Sequence, residues 1–590
     1  MEIQERQGAI DSKLDADMHP VLKKIYASRG VVDASDLRLE LSEVHPPSLL
    51  KNSDTAAALL FQTMQRGKRI LVVGDFDADG ATSSALFLLC MKAMGYTEVG
   101  YLVPNRFEYG YGLTPEIVDV ALQQSPDLIV TVDNGIASHE GINKANEQGV
   151  QVLVTDHHLP GNSLPDAECI LNPNQLDCDF PSKALAGVGV VFYLMLALRS
   201  VLRENSWFEE RGIKEPNMAS FLDLVALGTV ADVVPLDQNN RRLVKYGLSV
   251  IRSGKGRPGI RALLDVGGRN GASVVASDLG FVAGPRLNAA GRMDDMSLGI
   301  ECLLADNPSA AKELAIQLDG FNKDRKQVEQ DMQVQAMETL ADLDVDANDR
   351  LGLCLYNTQW HQGVVGILAS RIKEKFNRPC IVFADSGEKE SGKESEKEGK
   401  KGDCKFIKGS ARSISGLHIR DALDLLATRH PELLNRFGGH AMAAGLAIRE
   451  TDFTAFAEAF ENVLADTIEP EILNQVTWTD GELDVDCLTL DFASLIRDAG
   501  PWGQQFPEPV FQGDFNVASH RVVGEKHLKM TLESTNTSLL IDAIAFYVDA
   551  ELLEQKLQTV SLVYRLEVNE FRGVCNPQLL VEKIIDYTAV

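Results

Sequence analysis

The sequence has few cysteines, no CxxC pair and no long apolar run. Nine cysteines, an odd number, are scattered over 590 residues, which argues against a disulfide framework and against a structural zinc site. No apolar run reaches membrane-spanning length, and the first twenty residues lack the apolar core of a signal peptide. We therefore expect a cytoplasmic protein that does not enter a membrane.

Positive charge is also scarce. The chain has 57 Lys and Arg against 85 Asp and Glu, a net charge of -28. This balance excludes a protein coated in nucleic-acid-binding side chains, because phosphate binding depends on local Lys and Arg. A confined basic channel remains compatible with the sequence. The candidates are residues 255–261, the arginines of GPRLNAAGRM, and residues 405–413.

The hydrophobic pattern divides the chain into successive regions. Apolar strand-like segments alternate with amphipathic helical segments, which predicts an α/β fold with a parallel sheet covered by helices. Short alternating strands near the C-terminus predict an OB-like β-barrel, whose role is nucleic-acid binding or purely structural. The predicted regions are an N-terminal arm (1–50), a parallel-sheet catalytic domain (51–296), a long connecting helix (297–345), a second, smaller α/β domain (346–468) with a solvated charged loop (386–403), and the barrel (469–590).

Three carboxylates alternate in the segment LVVGDFDADGATSSAL. An extended backbone would send Asp75, Asp77 and Asp79 to one side, about 7 Å apart per step, around a site larger than one ion. Unpaired, these charges would repel one another. The segment therefore predicts a cation site, although DxDxDG alone is also found in calcium loops and solvated turns.

Further candidate ligands follow later apolar segments. They are Asp133 in TVDNG, the TDHH residues Asp156, His157 and His158, and Asp232 in GTVADVVPL. Each has a plain alternative: Asp133 as a turn residue, the histidines as core or surface residues, and Asp232 as the end of a helix. Their order favours a shared site, because the carboxyl ends of parallel strands meet at one edge of a sheet. We predict a metal site there.

Four segments in this order, DFDADG, VDNG, TDHH and GTVADVVPL, resemble the motifs of the DHH phosphoesterase superfamily. The stretches PNRFEYGYGL, LAGVGVVF, GPRLNAAGRM, WHQGVVGILASRI, GSARSI, FGGHAMAAGLAI and GEKHLKM are similar to the RecJ family of single-strand-specific exonucleases. The resemblance runs from about residue 45 to the C-terminus. Two departures are an inserted charged run at 386–403, and Gln505 and Phe506 where the family usually has Gly-Asn.

The resemblance implies two divalent cations, Mn²⁺ or Mg²⁺, and the carboxylate-rich ligand set agrees with that choice. It places His158 at the scissile phosphate or leaving group and makes Asp156 the residue that orients a neighbouring histidine. It also implies two ligand sets that share Asp133. One ion would be held by Asp75, Asp77 and Asp133, and the other by Asp79, Asp133, His157 and Asp232.

The resemblance further implies an enzyme that degrades single-stranded DNA from the 5′ end by two-metal hydrolysis, releasing 5′-mononucleotides in recombination and repair. A single-strand-binding protein and a helicase are candidate partners, and we expect a monomer. The residues expected to contact substrate are Arg106, Ser410 and Arg412 at the 5′-phosphate, Arg286, Asn288 and His440 along the strand, and Tyr111 as a weaker candidate for base stacking.

Two other functions stay open at this point. A DHH phosphodiesterase for short oligonucleotides would use the same motifs, and a non-catalytic adaptor at replication forks would keep the fold without the chemistry. The additional barrel and N-terminal arm favour a longer polymer as substrate. The complete set of acidic residues and histidines disfavours an adaptor that has lost its activity.

Overall fold

The structure, a computed structural model, describes most of the chain in two units. It describes residues 2–8, 13–15, 17–104, 109, 112–342, 350–389, 405–434, 436–535, 537–571 and 573–589. The larger unit comprises Gln4–Gly320 and Trp478–Val590, and the smaller unit comprises Met1–Ile3 and Phe321–Thr477. Two of the predicted substrate residues, Arg106 and Tyr111, lie outside the described residues.

A five-stranded parallel sheet forms the framework of the larger unit. The strand order is β3-β2-β4-β5-β6. Strands β2 and β4 are buried along their whole length, as expected for a parallel sheet covered on both faces. The first elements of the chain are β1 (Glu2–Glu5), α1 (Pro20–Ala27), α2 (Ser53–Gln65), β2 (Ile70–Gly74), α3 (Ala78–Ala93), β3 (Val99–Leu102), α4 (Pro115–Leu122), β4 (Leu128–Val132), α5 (His139–Glu147), β5 (Gln151–Thr155) and β6 (Cys169–Leu171).

The strand order places a crevice between β2 and β4. From β2 the chain first adds β3 on one side and then crosses to add β4 on the other. In open α/β sheets, ligands bind at the carboxyl ends of the strands where the direction of winding reverses. Asp75 directly follows β2 and Asp133 directly follows β4. The topology alone therefore brings these two carboxylates to the crevice.

Helices that follow the sheet close this edge of the larger unit. Helix α3 packs against α6 and α8, and α8 packs against α9. The two apolar segments around residues 187 and 222 are buried helices, and none of the described helices is long and apolar enough to cross a membrane. The helices are α6 (Gly187–Glu204), α7 (Trp207–Arg211), α8 (Leu222–Ala231), α9 (Gln238–Arg252), α10 (Pro258–Val266), α11 (Ala276–Asp278), a π-helical turn (Leu279–Ala283), α12 (Gly284–Met293) and α13 (Ser297–Leu304).

The predicted connecting helix from residue 297 to 345 is interrupted. Helix α13 ends at Leu304, and the long helix α14 (Pro308–Asp342) begins after a short break. The Asn307 side chain accepts a hydrogen bond from the Ser309 amide at 2.8 Å, and proline suits the first helical position because its missing N–H is not needed there. Asn307 and Pro308 therefore favour the start of a new helix at a point where apolar periodicity alone predicts one continuous helix.

The smaller unit contains a mixed five-stranded sheet of order β10-β11-β9-β8-β7. Its core includes Phe383, Phe456 and Phe460. The predicted loop at 386–403 is partly wrong, because β8 continues to residue 389 by backbone pairing with β9, which does not depend on apolar side chains; residues 390–403 lie outside the described residues. The elements are β7 (Leu353–Tyr356), α15 (Val365–Phe376), β8 (Cys380–Lys389), β9 (Lys405–Arg412), α16 (Ile419–Arg429), β10 (Arg436–Gly439), β11 (Ala443–Arg449) and α17 (Phe453–Thr467).

The C-terminal strands form a closed barrel of order β13-β14-β15-β17-β16, which confirms the OB-like prediction. Strand β14 shows the basis of the prediction, since every second side chain is buried in the barrel. Closure leaves no unpaired edge strand. The last elements are β12 (Val476–Thr479), α18 (Leu490–Asp498), β13 (Phe511–Val523), β14 (His527–Ser534), β15 (Leu540–Ala545), α19 (Ala550–Leu553), β16 (Leu557–Phe571) and β17 (Val574–Ala589).

Candidate metal centre

The acidic segment after β2 is a strand-turn-helix junction. Asp77 is the N-cap of α3, and its Oδ1 accepts hydrogen bonds from the amides of Asp79 at 2.9 Å and Gly80 at 3.0 Å. The expectation of an extended backbone through Asp79 is therefore wrong. The Asp77 side chain satisfies the first amides of the helix, so the chain turns helical at Ala78. The carboxylates converge through this turn, with Asp75 at its start.

Asp79 is buried and faces the start of α6. Its Oδ2 accepts a hydrogen bond from the Gly187 amide at 2.6 Å, and its Oδ1 accepts one from the Val188 amide at 2.9 Å. The N-terminus of a helix stabilises a negative charge. Burial and the nearby charge of Asp77 nevertheless raise the pKa of Asp79 to about 7. The two amide donors thus do not fully compensate the cost of burying the negative charge of Asp79. A carboxylate in such an environment is suited to bind a cation.

Asp133 occupies a strained turn at the end of β4. Its φ angle is 63°, a left-handed conformation that costs a non-glycine residue energy and is often found at functional sites. Its side chain packs against the start of α6, where a Cβ at Gly187 would lie 2.7 Å from Asp133 Cβ. Burial and the charges of Asp79 and Asp77 raise the pKa of Asp133 well above its ordinary value. Only glycine at position 187 leaves room for this carboxylate.

His157 faces three carboxylates. Its Nε2 lies 3.0 Å from Asp133 Oδ1, 3.5 Å from Asp232 Oδ2 and 3.9 Å from Asp79 Oδ2. Burial and the neighbouring His158 lower the pKa of His157 to about 4, so the ring is neutral and can offer a lone pair.

Asp232 completes the cluster from the end of α8. It is the C-cap of this helix, and the C-terminal end of a helix disfavours negative charge. Burial and the charges of Asp79 and Asp77 raise the pKa of Asp232 well above its ordinary value. A carboxylate in this position requires a cation nearby to be favourable.

The ligand atoms fall into groups that suit metal ions. Within each group all atoms lie within 4.8 Å of one another. Carboxylate oxygens with one imidazole are ligands that Mg²⁺ and Mn²⁺ accept, and the buried like charges described above require cations. The residues therefore fit two divalent ions. The groups are Asp75, Asp77 and Asp133; Asp79, His157 and Asp232; and Asp133, His157 and His158.

Asp156 fixes the position of His158. Its Oδ1 accepts hydrogen bonds from the amides of His157 and His158 at 2.7 and 3.1 Å and lies 2.7 Å from His158 Nδ1, while its Oδ2 accepts one from the Ile136 amide at 2.9 Å. Burial alone would lower the pKa of His158, but the hydrogen bond with Asp156 raises it. The arrangement holds the imidazole ring of His158 in a fixed orientation beside the metal centre.

We expect Asp156→Asn to lower kcat for the phosphodiester cleavage that the DHH resemblance implies about 10- to 100-fold, the usual cost of losing a residue that orients a metal-site group. An amide NH₂ cannot accept from all the donors that now surround this carboxylate. Single-turnover cleavage rates measure the effect, with Asp166→Asn, an exposed position, as the matched control. An unchanged kcat would show that His158 does not depend on Asp156.

The predicted substrate residues of GPRLNAAGRM are engaged within the protein. Asn288 Oδ1 accepts a hydrogen bond from the Ala78 amide at 2.7 Å, so this side chain supports the acidic turn. Arg286 is only 12% exposed, pairs with Asp319 at 2.8 Å and donates to the Val282 carbonyl oxygen at 2.7 Å. Both residues are partly exposed, and their contact with substrate stays a prediction. The Arg286 and Asn288 side chains are held by contacts with distant residues, and the local sequence does not indicate such contacts.

Sequence reasoning also missed two glycines at the centre. A Cβ at Gly187 would meet Asp133, and a Cβ at Gly228 would lie 2.9 Å from Asp79 Oδ1 and 2.7 Å from Val188 Cγ1. Gly187 begins a buried apolar helix, and Gly228 lies inside another, where a glycine is unfavourable relative to alanine. This unfavourable use of glycine was the signal available in the sequence, because it indicates that another part of the chain approaches the helix closely.

Three other predicted substrate residues lie in the smaller unit. Arg412 Nη1 donates to Ser410 Oγ at 3.0 Å and to the Ala411 carbonyl oxygen at 2.9 Å. Both side chains pack against the first turn of α15, where a Cβ at Gly366 would lie 2.8 Å from Arg412 Nη2 and 2.9 Å from Ser410 Oγ. His440 is exposed between β10 and β11. The structure thus brings Ser410 and Arg412 together beside a helix N-terminus.

Comparisons with known proteins agree with this architecture. Family models match residues 69–229 (DHH family, N-terminal domain), 351–466 (DHHA1 domain) and 479–583 (RecJ OB domain). The chain is 51% identical over 588 residues to the single-stranded-DNA-specific exonuclease RecJ of Escherichia coli (strain K12), covering 99% of both chains. The chain belongs to the RecJ family. A RecJ of Haemophilus influenzae is 47% identical, with 96% of each chain covered.

A solved structure supports membership of the RecJ family at the level of the fold. The crystal structure of RecJ in complex with Mn²⁺ from Thermus thermophilus superimposes with a TM-score of 0.75 at 29% identity. The match covers 97% of this chain and 77% of that chain. The parallel sheet, the second α/β domain and the barrel are therefore an architecture that RecJ proteins share.

Proposed function

We propose that this chain is a metal-dependent exonuclease that degrades single-stranded DNA from 5′ to 3′, releases 5′-mononucleotides, and acts in DNA recombination and repair. The observation that carries the proposal is the convergence of five carboxylates and one histidine at the crevice between β2 and β4. Membership of the RecJ family supports the substrate, since the curated relatives are named single-stranded-DNA-specific exonucleases.

The cofactors are two divalent cations, Mn²⁺ or Mg²⁺, which activate a water molecule and neutralise charge on the attacking and leaving oxygens. Asp133 is shared by the two sets of ligands. Its strained turn and its contact with Gly187 hold the carboxylate between the other ligands. One set consists of Asp75, Asp77 and Asp133, and the other of Asp79, Asp133, His157 and Asp232.

The residues around the metal ligands position the scissile phosphate. Asp156 keeps the His158 ring oriented, and His158 contacts the scissile phosphate or the leaving group. Asn288 holds the Ala78 amide and thereby the turn that carries Asp77 and Asp79. These groups need no large movement during reaction, which is the arrangement that favours transition-state stabilisation.

The 5′-phosphate binds to the pair Ser410 and Arg412. A guanidinium fork suits two phosphate oxygens, and the neighbouring start of α15 directs backbone amides towards an anion. Arg106 contributes to binding of the same phosphate, His440 contributes a further contact along the strand, and Tyr111 stacks on a base.

Arg412→Ala is expected to raise KM for 5′-phosphorylated single-stranded DNA about 10- to 100-fold, because charge-assisted hydrogen bonds contribute about 1.5–3 kcal/mol each. The same variant should change KM for a 5′-hydroxyl substrate little. Arg420→Ala, an exposed arginine of the smaller unit, is the matched control. Equal losses on both substrates would place Arg412 away from the 5′ end.

A substrate comparison tests the proposed activity directly. Wild-type protein with Mn²⁺ is incubated with single-stranded DNA, with the same sequence as a blunt duplex, and with di- and trinucleotides. We expect rapid mononucleotide release from the long single strand and little from the duplex. Cleavage confined to di- and trinucleotides would instead identify a short-substrate phosphodiesterase, and binding without cleavage would identify an adaptor.

The setting of the enzyme follows from its substrate. We infer a cytoplasmic monomer that receives single strands from a helicase and a single-strand-binding protein. Each predicted region then has one role. They are the N-terminal arm (1–50), the catalytic domain (51–296), the connector (297–345), the domain that holds the 5′ end (346–468) and the barrel that holds the strand (469–590). Size-exclusion chromatography with light scattering tests the monomer.

A further inference from the structure

Two backbone irregularities lie beside the metal centre. Val233, directly after Asp232, has a φ angle of 60°, which is rare for a β-branched residue. Leu279–Ala283 forms a π-helical turn between α11 and α12, and such turns are rare and frequently lie at functional sites. The two are neighbours, since a Cβ at Gly280 would lie 3.2 Å from Val230 Cγ1 in the last turn of α8.

Each irregularity presents a large apolar side chain to solvent. Phe281 is 82% exposed and Val233 is 62% exposed. Both line one cleft of about 910 Å³ within the larger unit, a volume typical of ligand sites. Strained backbone persists where the surrounding structure enforces it, commonly at binding sites. Exposed apolar groups held in this way indicate a ligand that covers them.

The cations that helix α9 contributes to the cleft indicate what kind of ligand that is. Helix α9 contributes Lys245 and Arg252 to its lining; Lys245 is exposed and forms no ion pair with any described residue, and Arg252 donates to the Val274 carbonyl oxygen at 2.8 Å. Aromatic side chains next to cationic ones suit single-stranded nucleic acid. The other cations of the cleft are paired with acidic residues that also line it: Arg269 with Asp278, Arg497 with Asp498, and Arg565 with Glu508 and Glu567. Glu570 is a further acidic residue of the lining.

We propose that Val233 and Phe281 form an apolar lip that holds an unpaired base of the DNA strand next to the metal centre. The Phe281 ring stacks on the face of the base, and the Val233 methyl groups contact it from the side of Asp232. In a duplex each base face is covered by its neighbours, so the contact is available only to a single strand. The lip therefore contributes to single-strand selectivity, and this inference rests on the proposed exonuclease function.

A double-mutant cycle between protein and substrate tests the lip. The rate of release of the 5′-terminal nucleotide is measured in Mn²⁺ at limiting substrate, with wild type, Phe281→Ala and Phe281→Trp. The substrates are one single strand and a series in which a single abasic site is moved along it. We expect Phe281→Ala to be about 10-fold slower on the intact strand and Phe281→Trp to stay near wild type. At one abasic position near the 5′ end, wild type and Phe281→Ala should become equal.

Leu176→Ala is the matched control, because Leu176 is 81% exposed and lies outside the lining of the cleft. It should leave every rate unchanged. Additive effects at every abasic position, or an unaltered rate for Phe281→Ala, would overturn the proposal and leave the cleft to another ligand such as an apolar peptide. Failure of wild type to cleave the intact strand would instead refute the exonuclease function, so the two failures are distinguishable.

Discussion

Asp133→Asn is expected to lower exonuclease activity about a thousandfold or more, since bound metal ions supply several kcal/mol of transition-state stabilisation. The same change should raise the thermal stability of the metal-free protein. Asp133 lies among carboxylates whose burial and mutual repulsion raise their pKa values, and the amide removes one charge without changing shape. Asparagine also tolerates the positive φ of this turn. Activity is measured with Mn²⁺, and unfolding is measured with EDTA and with Mn²⁺.

The effect of Asp133→Asn on thermal stability should have opposite signs without and with metal, and this distinguishes the loss of a metal ligand from a loss of the fold. In EDTA the variant should unfold at a higher temperature than wild type, whereas added Mn²⁺ should stabilise wild type much more than the variant. Asp166→Asn removes an exposed charge elsewhere in the larger unit and should behave like wild type in both conditions. A variant that is less stable in EDTA would contradict the view that repulsion dominates the metal-free centre.

Gly228→Ala is the second change with a large expected effect. Alanine normally stabilises the interior of a helix relative to glycine, but here the new methyl group would contact Thr82, Val188 and Asp79. Overpacking of this kind costs about 1–3 kcal/mol. Displacing the Asp79 carboxylate should also weaken Mn²⁺ binding about 10- to 100-fold. Thermal unfolding and calorimetric titration with Mn²⁺ measure the two effects.

Gly320→Ala is the matched control for this substitution. Gly320 lies inside α14, and a Cβ there would meet no atom within 4 Å in the described part of the chain. This variant should be more stable than wild type by about 0.5–1 kcal/mol and should bind Mn²⁺ normally. If Gly228→Ala behaved in the same way, the close approach between α8 and α3 would not constrain the metal centre.

The strands that carry the metal ligands could be predicted from the sequence, because the patterns that indicate a strand are local. Apolar runs ending in Asp75, Asp133 and Asp156 indicate parallel strands, and the carboxyl ends of such strands meet at one edge. The barrel was equally visible in the alternation of β14. In both cases side-chain periodicity reflects burial directly.

The remaining features depend on contacts between distant parts of the chain. The Asn288 side chain reaches the Ala78 amide 210 positions away, and Gly187 touches Asp133 across the crevice. The start of helix α3 at Ala78 was missed for a more local reason, since a capping aspartate is indistinguishable from a metal ligand in sequence. Phe281 could not be identified either, because a π-helical turn has no simple periodic signature.

The most direct test of the central claim is the order in which labels leave a single strand. Single-stranded DNA labelled at the 5′ end or at the 3′ end is incubated with Mn²⁺ and either wild type or Asp133→Ala. We expect the 5′ label to appear at once as a mononucleotide, the 3′ label to be released only late, and the variant to release neither. Early release of the 3′ label, or undiminished cleavage by the variant, would contradict a 5′-to-3′ exonuclease whose chemistry takes place at this metal centre.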